Sequence, residues 1–173
     1  MLGSAVIVFR EVLEAALIIA VVLGASRGAV RRERWIAAGV AIGAIGACVV
    51  AAFAGRISDA LDGRGQELFN AAVLLIAVAM LAWHNVWMSA HGRKLADEMR
   101  RLGHDVMIGV KPLSAMLMVT ALAVLREGSE TVLFLYGIST ADGAGASSML
   151  LGGSAGISGG IAAGYAIYAG LLR

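Results

Sequence analysis

The sequence predicts an all-α integral membrane protein of five transmembrane helices, with an inverted-repeat relation between helices 1–2 and helices 4–5. Three observations lead there. Of the 173 residues, 60% are hydrophobic and 15% charged, too few charges to cover a soluble domain of this size. The charges are also clustered, so that residues 35–55, 68–92 and 143–172 hold no Asp, Glu, Lys or Arg. Each of these runs reaches the roughly 20 apolar residues that cross about 30 Å of hydrocarbon. Finally, one charged pattern occurs twice inside apolar sequence, as "VFREVLEAAL" at 8–17 and "VLREGSETVL" at 124–133.

The elements follow in order. Helix 1, about 2–26, is apolar apart from Arg10, Glu11 and Glu14. No basic segment precedes it, the glutamates interrupt its apolar run and "LGASRGA" is a weak cleavage match, so it reads as a retained helix and not a signal peptide. Helix 2, about 35–55, is rich in Gly and Ala and carries Gly39 and Gly43. Helix 3, about 67–91, opens on Glu67 and holds His84. A linker at 92–112 follows, with room for a short surface helix at 93–102. Helix 4, about 113–138, carries the second charged motif, and helix 5, about 148–172, carries a ladder of Gly152, Gly156, Gly160 and Gly164. The whole chain, 1–173, forms a single transmembrane domain.

The connections set the orientation. Arg27, Arg31, Arg32 and Arg34 crowd the first, and the linker at 92–112 is again rich in Arg and Lys. The second balances Arg56 and Arg64 with Asp59, Asp62 and Glu67, and the fourth has no basic residue. Positive charge collects on the cytoplasmic side, which places the N-terminus outside the cell membrane and the C-terminus in the cytoplasm. Trp35, Trp83 and Trp87 read equally well as interfacial anchors or as packing.

An offset of 116 residues superposes Ala5, Val8, Arg10, Glu11, Glu14 and Leu17 on Ala121, Val124, Arg126, Glu127, Glu130 and Leu133. Helix 1 enters from outside and helix 4 from inside, so the two copies form an inverted repeat of the kind transporters build around a midplane site. A partner for helix 3 is missing, and the chain stops two helices into its second repeat.

At about 100° per residue, Glu11 and Glu14 lie roughly 60° apart and Arg10 about 40° from Glu14, so each motif presents its charges on one face. An ionised side chain at the bilayer centre costs about 2.5–3.5 kcal/mol on insertion scales, so six of them must face one another or a wet cavity. A salt-bridge network that merely locks helices 1 and 4 together would balance the signs. Four carboxylates against two guanidiniums leave a surplus of negative charge, which calls for a hard cation. Cys48 is the single cysteine, so no thiolate cluster competes for a softer one.

"REVLEAALI" and "REGSETVLFL" resemble the paired RExxE motifs of the high-affinity iron permeases, the oxidase-dependent iron transporters. "WHNVWMSAHGRKLADEMR" resembles that family's stretch after its third helix. The resemblance implies iron uptake, with Glu11, Glu14, Glu127 and Glu130 as metal ligands and Arg10 and Arg126 as their supporting partners. It implies iron as the transported ion with no bound cofactor, and a ferroxidase or extracytoplasmic iron-binding partner. Val12 stands where the family usually has glycine. The family is similar to a seven-helix permease, so this chain reads as a short or truncated member.

Other residues carry weaker signals. Glu67, with Asp59 and Asp62, suits either cation entry or a helix start favoured by the macrodipole. His84 suits a proton relay, a receiver of the departing ion or a hydrogen-bonded packing residue, while His91 and His104 read as interfacial or solvated. Met116 and Met118 do not share a helix face and read as packing. The glycine ladder suits packing of helix 5 on helix 2 or a homo-oligomer interface.

Three functions stand at this point: an iron permease that is not an enzyme, a membrane-bound di-metal carboxylate oxidase, and a non-transporting scaffold derived from the permease. Neither motif has the Glu-x-x-His spacing usual in di-metal carboxylate sites. The surplus charge is cancelled by a ferrous ion and exceeded by a ferric one. Lipid is the surrounding medium, and a net charge of +2 that follows topology gives no reason to expect nucleic acid.

Overall fold

The computed structural model describes residues 1–60, 66–142 and 146–171, which form five helices. They are α1 (Leu2–Ala25), α2 (Arg32–Ala60), α3 (Gln66–Met107), α4 (Ser114–Asp142) and α5 (Ala146–Leu171), with no strand among the described residues. Three helical stretches are long and apolar enough to cross a membrane: Arg32–Ile57, Glu67–Met107 and Ser147–Gly170. The 24 residues of α1 and 29 of α4 are also long enough, but a charged triplet interrupts the apolar run of each. Large apolar side chains point outward along the bundle, among them Ile42, Ile45 and Phe53 on α2, Leu75 and Val86 on α3, and Ile157 and Ile161 on α5. Water would penalise such a continuous apolar girdle, and lipid accepts it.

Close helix pairing is set by glycines. A Cβ at Gly43 of α2 would lie 2.6 Å from the Ala121 carbonyl oxygen, 2.7 Å from Val124 Cβ and 3.0 Å from Leu125 N on α4. A Cβ at Gly156 of α5 would lie 2.6 Å from the Ala5 carbonyl oxygen and 2.8 Å from both Val8 Cβ and Phe9 N on α1. With no Cβ the backbones can meet, which is how membrane helices gain contact without a hydrophobic drive between them. Gly39 and Gly46 extend the α2–α4 seam, and Gly152, Gly160 and Gly164 the α1–α5 seam. The expected packing of helix 5 on helix 2 therefore does not occur. The glycine ladder is filled by α1, and α2 lies on α4.

Contacts advance in step along both seams, so α1 runs parallel to α5 and α2 to α4. A turn at 26–31 reverses the chain between α1 and α2, with Gly28 at φ +102° and Arg31 at φ +64°. Arg32 Nη1 donates to the Leu23 carbonyl at 3.1 Å and covers the end of α1. Consequently α1 and α4 run in opposite directions, and α3 touches both.

The sequence pattern stops helix 3 near residue 91 and starts a separate helix at 93. Instead α3 continues unbroken to Met107, 42 residues or about 63 Å at 1.5 Å per residue. The reason is an apolar stripe inside the charged linker, Leu95, Met99, Leu102 and Val106. Leu102 and Val106 are buried with Val22, Ile36 and Met116, where the C-terminal ends of α1 and α3 meet the N-terminal ends of α2 and α4. Gly103 lets α3 approach closely, since a Cβ there would sit 2.6 Å from Ala25 Cβ. The helix ends where Gly109 takes φ +79° and the Val110 and Lys111 amides donate to the Asp105 carbonyl at 2.8 and 3.1 Å.

Asp62 and Gly145 lie outside the described residues, as do the tips of the second and fourth connections. The expected orientation is tested with cysteines in a Cys48→Ala background. Val30→Cys and Lys94→Cys, both at exposed positions, should be protected from impermeant thiol reagents in intact cells, while Gly63→Cys should label. The opposite pattern would reverse the orientation.

Candidate metal centre

The two motifs meet where α1 and α4 cross. Glu11, Glu127 and Glu130 are buried, at 1%, 4% and 6% exposure, and Glu14 is half-buried beside them. Each motif is braced along its own helix in the same way. Arg10 Nε lies 3.0 Å from Glu14 Oε1 and Arg126 Nε 3.1 Å from Glu130 Oε1, both one helical turn apart. The second contact of each arginine is looser, 3.4 Å from Arg10 to Glu11 and 3.9 Å from Arg126 to Glu127. The guanidiniums thus hold Glu14 and Glu130 and leave Glu11 and Glu127 without an aligned donor. Both Glu11 oxygens, Glu127 Oε2 and Glu130 Oε2 are buried without a hydrogen-bond partner.

Such oxygens carry a desolvation cost of several kcal/mol each unless something charged or hydrogen-bonding reaches them. A salt-bridge lock would give them aligned bonds, whereas here Arg10 reaches only Glu11 Oε1 among them, loosely, at 3.4 Å. Glu11, Glu127 and Glu130 each offer an oxygen within a span of 4.8 Å, close enough to share one ion. The sequence-selected glutamates are therefore brought together, from two helices, with the two arginines at their flanks.

His84 is the residue that sequence reasoning underweighted. It is 3% exposed and inserts from α3 between the two motifs. Its Nε2 sits 2.6 Å from Glu14 Oε2, and its Nδ1 accepts from Arg126 Nη2 at 2.8 Å and lies 3.1 Å from Glu130 Oε2. Glu14, His84 and Glu127 form a second group with ligand atoms within 4.8 Å. A signal was present. His84 is the one titratable side chain in the otherwise uncharged apolar run 68–90, and an ionisable residue inside a membrane span points to function by default.

Glu67 is not part of the centre. It is exposed in the first turn of α3, 17 residues or about 25 Å of helix before His84. Asp59 and Asp62 lack described side chains. Arg126 also lies over the Trp87 ring at 5.6 Å, beside a cleft of about 300 Å³ lined by Trp83, His84 and Glu130. On the far side of the centre, Glu11, Glu127 and Thr131 line a cavity of about 250 Å³.

A bundle that is all-helical among the described residues, with spans long and apolar enough to cross a membrane, fits an integral membrane protein, here one with a buried carboxylate cluster. Residues 1–173 match the model of the iron permease FTR1 family, and the chain belongs to that family. It is 32% identical over 133 residues to a protein named ferrous iron permease EfeU from Escherichia coli O157:H7, covering 75% of this chain and 48% of the relative. The protein of the same name from Yersinia pestis is 29% identical over 133 residues, 75% of this chain and 47% of its own. An uncharacterised protein from Archaeoglobus fulgidus is 31% identical over 163 residues, 90% of this chain and 53% of its own. The chain spans about half the length of the curated relatives it matches. No solved structure matches it.

Proposed function

We propose that this chain carries the ion-binding core of a permease that moves iron inward across the cell membrane, through a midplane site made by Glu11, Glu14, Glu127 and Glu130. The observation that carries the proposal is the set of buried, unpartnered carboxylate oxygens on Glu11, Glu127 and Glu130, gathered from two helices. The relatives named ferrous iron permease support iron as the cargo. With a neutral imidazole, four carboxylates and two guanidiniums leave a charge that one ferrous ion cancels. Arg10 and Arg126 keep Glu14 and Glu130 paired while no ion is bound, and they release oxygens as an ion enters.

The two halves act as an inverted repeat. Support comes from the seams, since Ala5, Val8 and Phe9 contact Gly156 as Ala121, Val124 and Leu125, their counterparts 116 residues on, contact Gly43. Rocking of the α1–α5 pair against the α2–α4 pair would expose the centre to each side in turn. Ions arrive at the outer face from an oxidase or iron-binding partner. The protein performs no chemistry on its cargo.

Radioactive ferrous iron flux into proteoliposomes of the pure protein tests this. Saturable uptake is expected. Iron-dependent oxygen consumption without flux would instead assign the centre to an oxidase, and neither activity would leave a scaffold.

A further inference from the structure

We propose that the centre holds two overlapping ion positions, one of oxygens alone from Glu11, Glu127 and Glu130, and one mixed, from Glu14, His84 and Glu127. A divalent transition metal passes from carboxylate to imidazole coordination between them. This rests on the transport function proposed above, and it adds a second site with a nitrogen ligand.

Three features support the mixed position. Its ligand atoms lie within 4.8 Å of one another, and Glu127 belongs to both groups, so an ion can change ligands without leaving protein coordination. The imidazole is also braced as a metal-binding histidine needs to be, with one ring nitrogen facing a ligand and the other facing a carboxylate. Nε2 faces Glu14, and Nδ1 lies 3.1 Å from Glu130 Oε2.

While Nδ1 accepts from Arg126, the neutral ring carries its proton on Nε2 and donates it to Glu14. An ion bound at Nε2 requires the other tautomer, with the proton on Nδ1. Glu130 Oε2, buried and without a hydrogen-bond partner, is placed to accept that proton. Arg126 then keeps Glu130 Oε1 and the Trp87 face as its partners.

The two positions also open onto different spaces. Glu11 and Glu127 line the cavity shared with Val12, Val40 and Ile161. Glu14 lines another of about 250 Å³ between α1 and α3, with Met88 and Met99. Val21 borders that cavity and a further one of about 330 Å³ that ends at Arg100 and His104. The mixed position therefore stands at the head of a seam leading toward the basic end of the bundle. Carboxylate oxygens alone accept Mn²⁺ readily, while an added imidazole favours Fe²⁺ and Co²⁺. Discrimination against hard cations would thus be made at the mixed position.

The test loads the purified full chain in detergent with Co²⁺ or Mn²⁺ and reads coordination by X-ray absorption and affinity by equilibrium dialysis. Wild-type protein with Co²⁺ is expected to show imidazole scattering. His84→Gln should lose that signal and bind Co²⁺ more weakly by about a hundredfold or more, as expected when a direct ligand goes, while keeping its Mn²⁺ affinity. Glu11→Gln should weaken Mn²⁺ and keep the imidazole signal. Bound Co²⁺ with an oxygen-only shell in the wild type would overturn the mixed position and leave the four-glutamate site intact. That spectrum decides even if His84→Gln fails to fold. Wild-type protein that binds neither ion would overturn both proposals.

Discussion

Alanine in place of Glu127 should abolish iron uptake by the reconstituted protein without loss of the folded bundle. Outer-shell partners of a metal typically contribute 10–100-fold to affinity, so a direct ligand should cost about a hundredfold or more. Glu127 belongs to both groups of ligand atoms, and no side-chain donor holds its Oε2. Its removal therefore takes away cation affinity and, of its recorded ion pairs, only the loose 3.9 Å contact with Arg126. Folding should survive because one buried negative charge fewer relieves repulsion among the carboxylates. Glu11→Ala, Glu14→Ala and Glu130→Ala should each reduce uptake severely as well. Glu→Asp should not rescue, since shortening by one methylene withdraws the oxygen from the ion. Asp97→Ala serves as the control, because Asp97 pairs with Arg100 on the exposed side of α3, away from the carboxylate cluster. Tracer flux into proteoliposomes reads all of these, with size-exclusion profiles checking the fold. Wild-type flux in any two of the four glutamate variants would end the proposal that they share one site.

What could be read from the sequence follows from which forces are local. The two charged motifs stand out because each places an expensive triplet inside an apolar run, and helical periodicity alone puts its members on one face. Burial of Glu11, Glu127 and Glu130 matches that expectation. Partner choice between helices was not legible. Gly152, Gly156 and Gly160 announce a close approach but do not say that α1 fills it, since the complementary ridge of Ala5, Val8, Phe9 and Val12 looks like any apolar stretch. His84 had a signal of its own, yet its role depends on α3 lying across both motifs, a long-range fact. The extension of α3 was hidden by charge. Arg93, Lys94, Asp97 and Glu98 suggest a polar linker, while Leu95, Met99, Leu102 and Val106 recur at helical spacing on the face that packs against α1.

Gly43→Ala and Gly156→Ala should destabilise the protein strongly and by similar amounts. In each case the new methyl would meet a backbone carbonyl at 2.6 Å, Ala121 on α4 or Ala5 on α1. Backbone cannot turn aside as a flexible side chain can, so the paired helices must separate along the seam. Overpacking by one methyl costs about 1–3 kcal/mol, and contacts this short fall at the upper end. In a chain of this size that corresponds to a fall of roughly 5–10 °C in the unfolding midpoint, read by fluorescence-detected size exclusion in detergent. Gly55→Ala gives the contrast. A Cβ there meets nothing within 4 Å, and alanine is the better helix former, so the midpoint should hold or rise. Equal losses at Gly43 and Gly156 would follow from two seams built alike and related by the repeat. A large loss at one with none at the other would show that the seams bear load differently, and the inverted-repeat relation between the two halves would fall with it.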